Sequence, residues 1–511
     1  MRQGTAVAVV SWVIRAITTL GLVSVGCTSS HPGAVRGDGG ASTNAGGLAP
    51  VDFEEAGAGG AEGTAWGDRL VTNVRVEVHP SVKTILTVHW DQQETTDSTW
   101  LEFTLGDGNV MCSRAAPGSV GAHRDVVLGV PGPAAVAVRI AGEREGLPYR
   151  THAYHSETGA VPRGLPRPEV LTFDPARASP ERWLLGAVEN SDGGCNSLAC
   201  YYHATFWIYI MDRQGRIVWY YADPASQATS SFPRIARDGE YLWIDKRDFY
   251  DVVPTETVLK TTLDHEYSEE IPVDGLSDCI DVTDDGSLLY DTNGRPGPME
   301  LREMRRDGSV RTIWSCTEHF GGDFDCYSNT VNYNPRDDTV LLSFPYENTV
   351  VEIDRRSGAL VGQYGDAPGS YDFSPSRWEF EFQHFPNITP EGTLLVSTHM
   401  PGYEDTQRAV AGGHTFLEFA IDREHRTLIE RWAYMLGQEW AMYKGMAIRL
   451  PNGNTLANYG TGGVIREITP DQQTVFLVKF DSDRGDDDFN KMLGNNVLVD
   501  DLYSLNGGGP E

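Results

Sequence analysis

The feature that most constrains this chain is a unit of about 50 residues that recurs along it after residue 180. A copy opens on a turn of Asp, Asn or Glu, mostly with Gly, and runs into a short apolar strand. A second strand carrying an acidic residue, another turn and a third apolar strand follow. Asp285-Gly-Ser-Leu-Leu-Tyr290 leads to Leu301–Trp314, and Asp338-Thr-Val-Leu-Leu-Ser343 leads to Val350-Val-Glu-Ile-Asp354. Glu391-Gly-Thr-Leu-Leu-Val-Ser397 leads to Phe416–Asp422, and Asn452-Gly-Asn-Thr-Leu456 leads to Val464–Thr469. Weaker copies precede these at Phe206–Asp212 and Asp238–Trp243.

A strand-built repeat of this length cannot bury both faces of one copy, so the copies must stack on one another. About six copies predict an all-β chain whose larger part, residues 180–485, is a six-bladed β-propeller. Residues 66–165 read as a run of short alternating strands, beginning with Val71–Val78. This predicts a small immunoglobulin-like β-sandwich in front of the propeller. The Pro-rich segment Gly164-Leu-Pro-Arg-Pro168 links the two, and residues 486–511 read as a tail.

Repeat register also predicts a site. In a propeller, one loop from each blade meets at the axial opening, so equivalent positions form a ring. Counting back from each turn to the start of its copy gives Asp278, Tyr327 with Asn329, His384, and Lys444. His399, at the far end of its apolar run, is expected at the opposite strand end. No C-x2-C pair is present, and neither a metal nor a cofactor is expected. The acidic run Asp481–Asp488 reads as a solvated turn.

The formal net charge is −31, which repels a phosphate backbone and argues against a nucleic-acid partner. Arg2 and Arg15 followed by the apolar stretch Ala16–Val25 have the pattern of an export signal over residues 1–27. Gly26-Cys27 at its end resembles a lipobox, which predicts lipid attachment at Cys27 and anchoring to the cell envelope, periplasmic or at the surface. Residues 28–65 are rich in Gly, Ala, Ser and Thr and read as a flexible tether. An exported setting permits disulfides, and Cys195 with Cys200 and Cys316 with Cys326 are the expected pairs.

Three segments resemble the bacterial arylsulfate sulfotransferases. Tyr327-Ser-Asn329 through Ser343 is similar to that family's His-x-Asn segment, and Gln383-His384 to its Gln-His. Arg449-Leu-Pro-Asn-Gly-Asn-Thr-Leu456 is similar to a blade turn common in these proteins. The resemblance implies transfer of a sulfuryl group from a phenolic sulfate ester to a phenol through a sulfo-histidine, without a cofactor. It implies His384 as nucleophile and Asn329 as a ligand of the sulfate oxygens. The chain departs from the family at Tyr327, where the family has His, at Pro345, where it has Arg, and at Asp278-Cys279. Tyr327 becomes the candidate proton donor, and Lys444 or Arg408 the candidate replacement charge. The alternative is a non-catalytic surface propeller that binds a small molecule, glycan or protein.

Overall fold

A computed structural model describes residues 60–105, 108–190, 205–221, 232–236, 239–246, 256–292, 298–376, 379–399, 414–434, 441, 443–480 and 492–506. The export signal, Cys27, the tether up to residue 59, Cys195, Cys200, Arg408 and the run Asp481–Asp488 fall outside these. Among the described residues no helix is long and apolar enough to cross a membrane.

The structure is all-β and almost entirely antiparallel. A helix, Gly60–Leu70, takes up the end of the expected tether and delivers the chain to strand Val71–Val78. That strand pairs with Leu86–Gln92, which pairs with Gly121–Val127. A second sheet is built on Thr96–Leu105 and Ala135–Arg144, with four short strands along its flanks. Alternation along these strands points Leu86, Val88 and Trp90 of one sheet, and Leu101, Phe103, Val136, Val138 and Ile140 of the other, into a single apolar cluster.

Among the described residues, the remaining strands form six further sheets. Sheet one contains Leu493–Val499, Trp183–Asn190, Thr205–Asp212 and Ile217–Tyr221; sheet two contains Arg234–Ile235, Leu242–Lys246, Thr257–Thr261 and Ser268–Pro272. Sheet three contains Leu276–Val282, Leu288–Thr292, Glu300–Met304 and Val310–Ser315; sheet four contains Val331–Asn334, Thr339–Phe344, Thr349–Asp354 and Leu360–Gly365. Sheet five contains Glu381–Ile388, Thr393–His399, His414–Asp422 and Thr427–Tyr434, with the short parallel strand Asp372–Ser374 added at its edge. Sheet six contains Met446–Arg449, Thr455–Asn458, Val464–Ile468, Thr474–Phe480 and, on its edge, Pro168–Phe173.

Each sheet shares an apolar cluster with the next. Trp243 and Val258 of sheet two pack with Leu276 and Ile280 of sheet three, and Leu301 and Ile313 of sheet three with Val331 and Val340 of sheet four. Leu341 and Val350 of sheet four meet Leu394 and Phe419 of sheet five; Leu395 and Phe416 of sheet five meet Ala447 and Tyr459, at sheet six. The largest cluster joins Ile465, Phe476 and Val478 of sheet six to Leu185 and Tyr209 of sheet one and on to Leu242 and Ile244 of sheet two. Burying one such side chain contributes about 1.5–3 kcal/mol, so these clusters hold the sheets together. Polar side chains on the first strands add cross-links: Asn332 donates to Pro386 O at 2.8 Å, and Asn387 donates to Ala447 O at 2.8 Å.

Two features differ from the sequence reading. Residues 486–511 are not simply a tail: Leu493–Val499 is the first strand of sheet one, paired to Trp183–Asn190 with Leu185 opposite Val497. The linker likewise runs straight into strand Pro168–Phe173, which pairs with Thr474–Phe480. Sheets one and six are thus each built from both ends of the repeat region. The Cys316–Cys326 disulfide is present.

A buried ion pair sits where sheets one and six meet. Glu467 is completely buried and takes Arg213, the Ser179 amide and Asn454 Nδ2, the last at 2.7 Å. The Arg213 guanidinium lies over the Phe476 ring, 4.3 Å from its centre. Glu467→Ala would leave this guanidinium buried without its partner, a loss of about 3–5 kcal/mol. Urea unfolding should show a correspondingly lower midpoint, whereas Asp471→Ala, which removes the exposed partner of Arg177, should move the midpoint far less.

Candidate functional site

The first strands of successive sheets lie against one another: Arg234–Ile235 on Leu276–Val282, that strand on Val331–Asn334, then Glu381–Ile388, then Met446–Arg449. Residues at or just before their starts therefore converge. Phe232, Asn329, Thr330, His384, Phe385, Lys444, Gly445 and Leu493–Asn495 line one recess, with contributions from five of the six sheets. The space left between the side chains is about 10 Å³, room for about one water molecule, within a recess of about 260 Å³.

Of the residues expected from repeat register, Asn329, His384 and Lys444 meet here. Asp278 belongs to strand Leu276–Val282, but its side chain is outside the described set. Tyr327 does not line the recess. Its ring is 38% exposed and lies 5.6 Å from Tyr346, which leads through Phe382 to His384 at ring separations of 5.5 and 5.6 Å. Pro345, at the position of the family's Arg, opens a short 3-10 turn, Pro345–Glu347.

His399 is a correction. It lies beside the site, its ring 6.5 Å from that of His384 and 5.2 Å from that of His414. The cause is the antiparallel register, which sets Glu381 opposite His399 and so brings the end of the second strand to the start of the first. Phe232 and Asn495 were not foreseen. Phe232 precedes the shortest first strand, and Asn495 lies in the segment read as a tail.

The backbone around His384 is unusual. Pairing with Thr393–His399 shifts register on both sides of His384, and the flanking Phe382 and Phe385 have φ of 47° and 50°. Lys444 has φ of 61°. Bulky residues rarely enter this left-handed region, and each such conformation costs on the order of 1–3 kcal/mol. The bulges re-aim His384, and neighbouring structure holds them. Gln383 is fully buried and donates to Ser343 Oγ, Phe344 O and Thr349 O at 3.1–3.2 Å. Gly445 has φ of 117°, and a Cβ there would stand 2.4 Å from His414 Nε2. Only glycine lets the chain turn past that ring into the recess.

Asn329 is buried and fully engaged. Its Nδ2 donates to Gln383 O at 2.9 Å and lies 2.9 Å from His384 Nδ1, while its Oδ1 accepts from Thr330 Oγ1 at 3.2 Å. One amide hydrogen goes to Gln383 O, and His384 Nδ1 is within hydrogen-bond distance of the same nitrogen. His384 Nε2 is buried and has no hydrogen-bond partner among the described residues.

Burial, then the charges of His399 and Lys444, hold His384 well below the ordinary histidine pKa. Burial lowers His399 to about 4 and lowers His414 strongly. All three rings are neutral at pH 7. Lys444 brings its ammonium to the recess, 5.2 Å from the ring centres of both Phe206 and Phe232. Arg234 lies beneath Phe385, with its centre 5.3 Å from that ring. It is occupied by Ile280 O at 2.9 Å, Val331 O at 3.2 Å and Asn332 Oδ1 at 3.0 Å. Among the described residues, no group of three or more His, Cys, Asp or Glu is arranged to hold a metal ion.

No protein-family model matches the sequence, and a comparison with curated proteins finds no match. Among solved structures, virginiamycin B lyase from Staphylococcus aureus is similar, with 11% identity over 49% of this chain and 69% of that one and a TM-score of 0.29. Regucalcin from Agrobacterium tumefaciens, a calcium-binding protein, has 10% identity over 49% of this chain and 74% of that one, with a TM-score of 0.33. Both are β-propeller proteins. Likeness at this level says nothing of chemistry, which rests on the recess.

The histidines set the pH dependence of stability. Their folded pKa values lie below the unfolded value of about 6.5, so the unfolded chain takes up protons first as pH falls. The stability they contribute is present above about 6.5 and is lost as pH drops toward about 4, with His399 alone worth about 2 kcal/mol between pH 7 and 5. His265, also lowered to about 4 by burial, adds in the same direction. Asp125, pushed up to about 6 by burial, opposes them, because its folded form prefers the proton. Urea midpoints should fall from pH 7 to pH 5, and His399→Gln should flatten that dependence.

Proposed function

We propose that the six sheets are the blades of a six-bladed β-propeller fronted by an immunoglobulin-like sandwich, and that the axial recess binds the oxyanion head of a small molecule. The shared clusters that pass from each sheet to the next support the first part. One observation carries the second: His384 Nε2 is buried in a recess without a protein partner among the described residues, and Lys444 lines the same recess. A buried polar atom left unpaired costs about 1–3 kcal/mol, which a bound acceptor group removes. The enclosed space takes about one water-sized atom, so it suits a single oxygen of an oxyanion, with the remainder of the ligand in the wider recess and outside toward Tyr346 and Tyr327. An exported, lipid-anchored chain acting on such molecules at the cell envelope is part of this proposal.

Sulfuryl transfer is a second reading, favoured by the neutral state of His384. In that reaction Nε2 attacks sulfur, the ester S–O bond breaks and an aryloxide leaves and takes a proton. The sulfuryl group then passes to a phenol. Nε2 must be free of its own proton at the moment of attack, and the family's Arg is replaced by Pro345. Calorimetric titration with 4-nitrophenyl sulfate tests the binding reading. Wild type should bind, Lys444→Ala should weaken binding about tenfold, equivalent to about 1.4 kcal/mol, and His384→Ala should abolish it. Release of 4-nitrophenol in the presence of phenol, with a sulfuryl mass increase on His384, would establish transfer. Wild type that binds neither sulfate nor the aryl ester contradicts the proposal.

A further inference from the structure

We infer that Asn329 is a positioning residue that fixes the tautomer of His384, with Nδ1 as acceptor and the proton on Nε2, so that the ring presents an N–H donor to the recess. This rests on the reading of the recess as an oxyanion site and says which group of the histidine faces the ligand. The amide orientation follows from its surroundings. The Asn329 atom that lies 2.9 Å from His384 Nδ1 also lies 2.9 Å from Gln383 O, a carbonyl that can only accept. An oxygen placed there would face that carbonyl without a hydrogen between them. The atom must be Nδ2, and its second hydrogen points to Nδ1.

The rest of the network agrees. The single hydroxyl hydrogen of Thr330 has Asn329 O at 2.7 Å and Asn329 Oδ1 at 3.2 Å as acceptors, and Thr330 Oγ1 in turn accepts from the Phe385 amide at 3.0 Å. The Asn329 amide N–H is tied to Ser343 O at 3.0 Å, so the residue is held by its backbone as well. A neutral imidazole that accepts at Nδ1 carries its proton at Nε2. The chemistry at the recess then has a defined polarity. Nε2–H and the Lys444 ammonium are both donors, and the complementary group is an acceptor without hydrogens of its own, such as a sulfate or carboxylate. The same lock works against Nε2 as a resting-state nucleophile and as a metal ligand, because its lone pair is replaced by the N–H bond.

Long-range 1H–15N correlation of histidine-labelled, ligand-free protein at pH 7 reads the tautomer directly. The chain has 13 histidines, and the signals lost in His384→Ala identify those of His384. Wild type should show Nδ1 unprotonated and Nε2 protonated. Asn329→Asp replaces the donor by an acceptor and should move the proton to Nδ1; Asn329→Ala should give a mixture of both tautomers. An Nδ1–H tautomer in wild type, or an unchanged Nε2–H tautomer in a folded Asn329→Asp protein, would overturn the inference. The wild-type spectrum, with His384 assigned through His384→Ala or by linking its ring signals to assigned backbone resonances, decides even where an Asn329 variant fails to fold. The measurement uses no ligand, so failure to bind sulfate and failure of the lock are separate results.

Discussion

The way the two ends of the repeat region are stitched together governs the rest of this structure. Leu493–Val499 hydrogen-bonds to Trp183–Asn190, and Pro168–Phe173 to Thr474–Phe480, so sheets one and six each carry one strand brought from a distant part of the chain. Closing a loop of this length adds only slowly with length to the entropic cost, and the apolar cluster that runs from sheet six through sheet one to sheet two offsets it. The buried Arg213–Glu467 pair lies at that seam. The two N-terminal sheets and the six that follow are tied through the same region: Tyr503, just after strand Leu493–Val499, donates to Val126 O at 3.0 Å, and the Lys83 amide donates to Tyr220 at 2.8 Å.

Closure also makes the site. Leu493, Gly494 and Asn495 belong to strand Leu493–Val499 of sheet one and line the recess with residues from or next to sheets two, four, five and six. A recess assembled from five sheets is held by the packing of all of them, which suits a small group of precise geometry better than a large flexible ligand. Of the ten non-glycine residues with positive φ among the described residues, three, Phe382, Phe385 and Lys444, fall at this place. Such strain persists where surrounding structure over-determines it, and it is characteristic of sites that bind or react.

Much of this was legible in the sequence, for a physical reason. The turn-and-strand unit repeats because each sheet must present the same apolar faces to two neighbours, so register alone could place Asn329, His384 and Lys444 at equivalent positions. Sheets three to six have contiguous units with clear turns and were plain to read. Sheet one was not, because its first strand comes from the far end of the chain. Phe232 was missed because its strand, Arg234–Ile235, is too short to show a pattern. His399 was set at the wrong end because its run was read alone, without the antiparallel pairing that brings its end back to the start of Glu381–Ile388. The double bulge at His384 runs against the local preference of Phe382 and Phe385, and tertiary packing imposes it. The orientation of Asn329 depends on a backbone carbonyl and so leaves no trace in residue types.

The central claim is that one oxyanion-binding site lies where the first strands converge. A crystal structure of the protein soaked in selenate, located by its anomalous scattering, tests it most directly. The account predicts selenate in the recess, within hydrogen-bonding distance of His384 Nε2 and close to Lys444 Nζ. Ordered selenate elsewhere with this recess empty, or a His384 ring turned away from it, would contradict the account.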